Sequence, residues 1–468
     1  MSTLTSLAPL AALASLTSPT SEAGVEIQAH GIGGAQDLPV PVGLAVTGAV
    51  VALVVSFVVL AVAWREPRWR PSRVGTPAPR PFAALAASPA RWWVLRGLGL
   101  LTLAWAALAA FGGPDTLANP LFGMVYVWWW VGVPLASLAL GPVWRAVSPL
   151  RTLVEAFSRL AGTDPERGLV DLPAWVGRWP AALGLLSFAF LELVHPHSTE
   201  LVPVRLWCTG YVVVLVLGGV VGGTRFLASA DPMEVFSDLL AHLSPWLVRD
   251  GRLLVASPLA HLTTLPTGPG LVAVVAVLLG STAYDSFSDS PTWLGFTQGS
   301  ALVTSWSAGP VVADSVALVA FCLVVGAVLA AASMLTPVPA RTRRRDLPVL
   351  FAPTIVPVVA GYLLAHYLTY WWIVGQSTLV LVSDPLGVGA DWLGTGGLTV
   401  SYWLSYHPTL VADVQVVAVV GGHLLGVVAA HERAVGLLPR ARAVRGQVPM
   451  LVAMLAFTVG GLTLLLTA

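Results

Sequence analysis

The chain has 468 residues, 56% of them apolar and only 10% charged, with a formal net charge of +1. Soluble domains carry about 25% charge, so this composition, with a mean hydropathy of +0.81, excludes a globular cytosolic enzyme, a nucleic-acid binder and a disordered chain. It describes an all-α polytopic protein whose first partner is the lipid bilayer, placed in the plasma membrane.

At the N-terminus, residues 1–29 hold a short apolar stretch, LAPLAALASL. It is too short to span but about right for a signal-peptide core, and Ile27-Gln28-Ala29 fits a small-residue cleavage site. Against this, no basic residue precedes Arg65. Cleavage after Ala29 makes His30 the new terminus, whose amine and imidazole form a chelate suited to copper. Without cleavage, His30 lies in an exposed tail that binds nothing.

Ten apolar runs follow, at 40–64, 95–113, 120–142, 178–195, 204–223, 270–287, 309–336, 349–382, 408–431 and 446–467. A hydrocarbon core about 30 Å thick needs roughly 20 residues per helix, so residues 30–468 read as a single domain of ten spans. All 24 basic residues are arginines, and 23 of them fall in or border the five loops on one side; only Arg205 lies on the other. Arginine-rich loops stay cytoplasmic, which predicts both termini outside. The two cysteines, Cys208 and Cys322, lie in apolar runs and offer neither a disulfide framework nor a thiolate metal site.

Between spans 5 and 6, residues 224–269 contain DPMEVFSDLLAHL, in which Met233, Phe236, Leu240 and Leu243 recur at helical spacing. This predicts a helix lying on the membrane surface, with His242 and His261 as interfacial residues. The outer segments 288–308 and 383–407 are rich in Ser, Thr, Gly and Trp and are expected to cap the bundle. Five spans followed by five more place the two halves in opposite orientation, as in inverted-repeat transporters.

Ionisable residues are costly inside a membrane and mark function by default. Glu192, Asp285, Asp314, Asp384 and Asp413 fall at or near the outer ends of spans, at the level of His195, His197 and His407. Mixed oxygen and imidazole donors suit a divalent transition metal such as Zn, Mn or Fe better than Cu(I). Glu192 and His195 form a single Glu-x-x-His pair, where di-iron bundles use two. His195-Pro196-His197 reads as a helix end and Asp384-Pro385-Leu386-Gly387 as a turn. Deeper lie His366 in span 8 and His423 in span 9. Tyr362, His366 and Tyr370 form an i, i+4, i+8 stripe expected to face protein. A single helix over 349–382 would be about 51 Å long, so a break is expected, at Gly375-Gln376. Gly422 and Gly426 allow close helix approach, and His431-Glu432-Arg433 is expected at the cytoplasmic interface.

Several segments carry a family resemblance: Ala29-His30-Gly31 with Gln36-Asp37-Leu38-Pro39 before span 1, Asp231-Pro232-Met233-Glu234-Val235, Gly280-Ser281-Thr282-Ala283-Tyr284-Asp285, His366-Tyr367, Gly375-Gln376, Ser383-Asp384-Pro385-Leu386-Gly387, and Gly422-His423 leading to Ala430-His431-Glu432-Arg433. Over nearly its whole length the chain resembles the actinobacterial multi-span membrane proteins commonly named fenitrothion hydrolase. The resemblance implies hydrolysis of a phosphotriester at the outer face.

Three functions compete at this stage. In the hydrolase, a metal-bound water is the nucleophile, with His195, His197, Asp285, Asp384 and His407 as ligands and Glu192 or Asp413 as general base. In a transporter of a metal ion or small solute, the same acids gather the cation and His366 and His423 continue the path inward. In a subunit of a membrane complex, His366 and His423 hold a metal or, less favoured, a haem iron.

Overall fold

The computed structural model describes residues 36–339, 342–438 and 443–467; His30 and the leader lie outside the described residues. Nine helices among them are long and apolar enough to cross a membrane, and a tenth apolar helix, Trp179–Leu193, is shorter. In chain order they are α1 (Val42–Ala63), α2 (Pro89–Gly112), α3 (Pro120–Leu140), α4 (Trp179–Leu193), α5 (Leu201–Ala230), α6 (Leu271–Ser288), α7 (Gly309–Met334), α8 (Val356–Leu381), α9 (Pro408–Leu437) and α10 (Val448–Thr467). Each coincides with one of the ten apolar runs. The protein is an all-α helix bundle.

Burial sorts the bundle into centre and rim. The span ending in α8 is 78% buried within the protein and α3 and α6 are 61% buried, whereas α1 and α5 are 17% buried. α8 packs on α9, α3 and α6. Its contact with α9 is close because Gly422 meets Pro357: a Cβ at Gly422 would stand 2.6 Å from the Pro357 carbonyl oxygen. Small residues let helix backbones meet where lipid supplies no hydrophobic drive.

Local chemistry explains the irregular helices. In α3, Met124–Gly132 is π-helical, closing with the Val133 amide on the Trp128 carbonyl. Pro134 follows and has no amide to continue the α-helical ladder. The expected interruption of span 8 at Gly375-Gln376 is not found, since α8 runs through it. The chain instead breaks earlier, in 3-10 turns at Arg344–Asp346 and Ala352–Ile355, where Pro348, Pro353 and Pro357 each remove a donor. α5 kinks at Gly223, whose φ of 70° suits glycine. The carbonyl of Val221 then accepts from the Leu169 and Val170 amides, and the Thr224 amide donates to Pro165, so the preceding loop fills the break.

Two expectations for the arginine-rich end are corrected. The helix Pro232–Ala241 does not lie on a surface: it is buried along nearly all its length, between α3, α4 and α5. Its two acids find partners inside the protein. Asp231 accepts from Trp144 Nε1 (2.7 Å), Tyr211 Oη (2.8 Å) and its own helix's Met233 amide (2.9 Å), and Glu234 pairs with Arg151 at 2.5 Å. His431 and Glu432 are likewise not interfacial, being 1% and 4% exposed. Glu432 accepts from Trp64 Nε1 and from the Arg68 and Trp69 amides, while His431 bonds the Trp64 carbonyl and Gln447, clamping the chain as it leaves α1. His261 is also buried, with Nδ1 on the Ser244 carbonyl. A small antiparallel sheet accompanies this end, with β1 (Thr76–Pro77) and β2 (Trp246–Arg249) flanking β3 (Arg252–Val255).

Candidate functional site

The sequence GSTAYD places its chemistry on the last turns of α6. Gly280 abuts α7, where a Cβ would meet Cys322 Cα at 2.5 Å. Leu278, Thr282 and Asp285 recur at three- and four-residue spacing on the side toward α8. There His366 Nε2 and Asp285 Oδ2 are 2.7 Å apart, with the two side chains 9% and 14% exposed. The imidazole meets the Tyr367 ring edge-on, centroids 4.7 Å apart. Tyr367 Oη in turn accepts from Trp130 Nε1 at 3.4 Å, on the π-helical stretch of α3.

Other charges converge on this pair. Glu192, in the last turn of α4, stands near enough to Asp285, Tyr126, Tyr367 and Tyr370 to interact electrostatically with each. Tyr126 Oη donates to the Ser198 carbonyl at 2.9 Å, tying this cluster to the turn after α4. Asp289 lies one turn beyond Asp285 and is exposed; desolvation and the Asp285 charge raise its pKa, against a smaller opposing pull from His366. One turn the other way, toward the arginine-rich end, a small cavity is bounded by Trp130, Thr282, Tyr362 and Tyr367, and by Phe236 of the buried helix. The order from the bundle end inward is therefore an exposed acid, a carboxylate–imidazole pair, and a cavity with hydroxyls on its wall.

His423 faces the interior too, and is fully buried on α9. Its Nδ1 bonds the Val419 carbonyl at 2.8 Å and its ring lies 6.0 Å from that of Tyr362, centroid to centroid, while Nε2 has no hydrogen-bond partner among the described residues. Asp285 thus takes His366 as its neighbour, and His423 stands on the far side of Tyr362.

The remaining candidates are placed apart. His195 and His197 follow the end of α4, their rings 6.0 Å apart; the His197 amide donates to His195 Nδ1 and His197 Nδ1 pairs with Glu200 at 2.7 Å. Asp384 forms the turn expected of it: desolvation opposes ionisation, yet the backbone amides of Val388 and Gly389, with those of Ala390 and Gly387, together hold its carboxyl below the usual range. His407 precedes α9, its ring tilted 30° against that of Trp403 with Nδ1 on that residue's carbonyl. Asp413 is exposed on α9, and Asp314 accepts from Trp293 Nε1 at 2.8 Å. Among the described residues no three His, Cys, Asp or Glu side chains are grouped to hold a metal.

Sequence reasoning missed Asp289, Tyr126, Trp130 and Tyr367 as neighbours of the pair. Asp289 had a usable signal, since it stands four residues after Asp285 and so shares its helix face. The aromatic residues had none, because their place follows from how α3 and α8 pack. No family model, curated protein or solved structure matches the chain.

Proposed function

We propose that this membrane protein is a proton-coupled transporter, with Asp285 and His366 as its proton-binding pair. The observation that carries the reading is the 2.7 Å contact between a carboxylate and an imidazole from two spans. Burying an isolated ion costs several kcal/mol. A carboxylate hydrogen-bonded to an imidazole avoids much of that cost by sharing one proton in either direction. Asp289 supplies an exposed acid on the same face of α6, and the small cavity beside Thr282, Tyr362 and Tyr367 lies on the inner side of the pair. Glu192 adds a second carboxyl near Asp285 that can hold a proton. The 23-to-1 division of arginines supports a topology of ten spans with both termini and the exposed acid outside.

The test uses protein reconstituted in liposomes holding a pH-sensitive dye, with a potassium diffusion potential imposed by valinomycin. Proton uptake is expected for the wild type and is lost in Asp285→Asn and in His366→Gln, with helical content by circular dichroism unchanged. Uptake at the wild-type rate in both variants refutes the proposal. Phosphotriester turnover by the same protein, with zinc, manganese, iron or copper supplied, tests the activity that the family resemblance implies.

A further inference from the structure

A second feature lies on the other side of α3 from the Asp285–His366 pair. The π-helical stretch turns Trp130 toward Tyr367, and turns Met124, Trp128 and Trp129 toward a groove bounded by α2 and α5. The groove holds about 500 Å³, within the range of sites that take a small-molecule ligand. On α2 its lining runs from Leu98 to Phe111, a distance of roughly 20 Å at 1.5 Å per residue. Half of a hydrocarbon core is about 15 Å, so the groove is long enough to take one acyl chain and reaches past the middle of the core. It opens sideways, since Leu98, Phe111 and Val213 on its lips are 52%, 66% and 48% exposed. Its walls are apolar and aromatic, with Trp129 against Tyr211 and Trp207 (ring centroids 5.4 and 5.9 Å).

Charge appears at one end. Arg205, the single arginine on its side of the membrane, lines the groove there. One guanidinium nitrogen donates to the Ala110 carbonyl at 3.3 Å and the group lies 5.6 Å from the Phe111 ring. Among the described residues no carboxylate pairs with it. A planar guanidinium has five donors, fitted to two oxygens of a phosphate at once. An apolar channel long enough for an acyl chain, open to lipid and ending in an unneutralised arginine, is complementary to an anionic amphiphile and to no water-soluble ion.

We infer that the groove is a site for an anionic phospholipid of the surrounding bilayer, one acyl chain lying between α2, α3 and α5 and the phosphate set against Arg205. This inference stands apart from the proton reading, because none of its residues belongs to the Asp285–His366 pair. The experiment places the protein in nanodiscs of phosphatidylglycerol and phosphatidylcholine in equal amounts, releases it gently, and counts retained lipids by native mass spectrometry. The wild type retains one phosphatidylglycerol in preference to phosphatidylcholine. Arg205→Gln reduces that preference about tenfold, the worth of one charge-assisted hydrogen bond, and Arg205→Lys keeps part of it. Ala107→Trp, which fills the exposed part of the groove wall, abolishes retention of either lipid; circular dichroism and a monodisperse elution profile show that all three variants fold. Equal retention of the two lipids by the wild type overturns the inference, as does undiminished phosphatidylglycerol retention in Arg205→Gln. Retention of detergent in place of lipid also overturns it.

Discussion

Removing the Arg151 guanidinium tests the buried ion pair that holds the helix Pro232–Ala241 in the bundle. The Arg151 and Glu234 side chains are 6% and 3% exposed and meet at 2.5 Å; Arg151 also donates to the Thr224 carbonyl at 3.3 Å. Glu234 Oε2 is buried with no hydrogen-bond partner among the described residues, so Arg151 is what offsets its charge. Breaking a buried pair from one side costs about 3–5 kcal/mol, whereas replacing both partners by apolar residues of similar volume is often neutral. Arg151→Met should therefore lose about 3–5 kcal/mol, and Arg151→Met with Glu234→Met should recover most of it, a coupling that a double-mutant cycle isolates. The penalty should depend on pH. Burial already pushes the Glu234 carboxyl up to about 7, with Arg151 pulling it down, and without Arg151 it rises further. A carboxyl raised in the folded state contributes stability that is present below its unfolded value near 4.5 and is lost as pH rises toward its folded value. Both proteins lose about 1.4 kcal/mol per pH unit between 4.5 and about 7, so the Arg151→Met deficit should hold steady there and grow at that rate only above about 7, until the variant's higher folded value is reached. Unfolding titrated with SDS in mixed micelles, followed by circular dichroism, measures both effects. A deficit under about 1 kcal/mol at neutral pH, or a double variant no better than the single one, would falsify the argument.

Three further outcomes follow from buried groups and close contacts elsewhere. Burial lowers the His261 pKa from 6.5 to about 4, so its contribution is present above 6.5 and is lost as pH falls toward 4. Acidification over that window should cost about 3 kcal/mol, and the same titration on His261→Gln should be flatter. Glu432→Ala leaves the Trp64 indole and the Arg68 and Trp69 amides without their acceptor; a loss of about 3 kcal/mol and new proteolysis near Arg68 are expected, and an unchanged digestion pattern counts against the clamp. Gly422→Ala should cost about 1–3 kcal/mol by wedging α9 off Pro357, whereas Gly421→Ala, where a Cβ meets nothing within 4 Å, should be near neutral.

The ten helices were legible because a bilayer imposes one length and one polarity on every span, and the runs at 120–142 and 309–336 need no partner to declare themselves. The Pro232–Ala241 helix was misread for the same reason. An apolar face with two acids at its start looks identical against lipid headgroups and against protein, and Arg151, which decides the matter, is 83 residues away. The β2–β3 hairpin had a local signal in Arg249-Asp250-Gly251-Arg252, with φ of 49° at Asp250 and 71° at Gly251; Asp-Gly at a two-residue turn is a hairpin sign. At the site, Asp285 and His366 were both candidates by type and depth. Their pairing was not legible, since it depends on the rotation of α6 against α8. Asp384, His407 and Asp413 shared a level in the sequence, but a shared level fixes height along the membrane normal and leaves position around the bundle open.

The buried acids of this chain differ in what holds them, and that difference separates scaffold from site. Glu432 accepts from an indole and two backbone amides, and Asp231 from an indole, a phenol and an amide. The Tyr211 hydroxyl can reverse its role, but the indole and amide N–H groups cannot turn into acceptors, so protonating either carboxyl loses hydrogen bonds that the fold has already made. Such an acid is a fixed charge that orders the chain around it. Asp285 is bonded to an imidazole, whose ring nitrogen donates when protonated and accepts when neutral. A proton can cross that 2.7 Å contact without breaking it, because donor and acceptor exchange roles. Asp231 and Glu432 are 0% and 4% exposed and the Asp285 side chain 14%; under the proton-coupled function proposed above, the exchange of roles at Asp285 is what suits this acid, and not Asp231 or Glu432, to pass a proton.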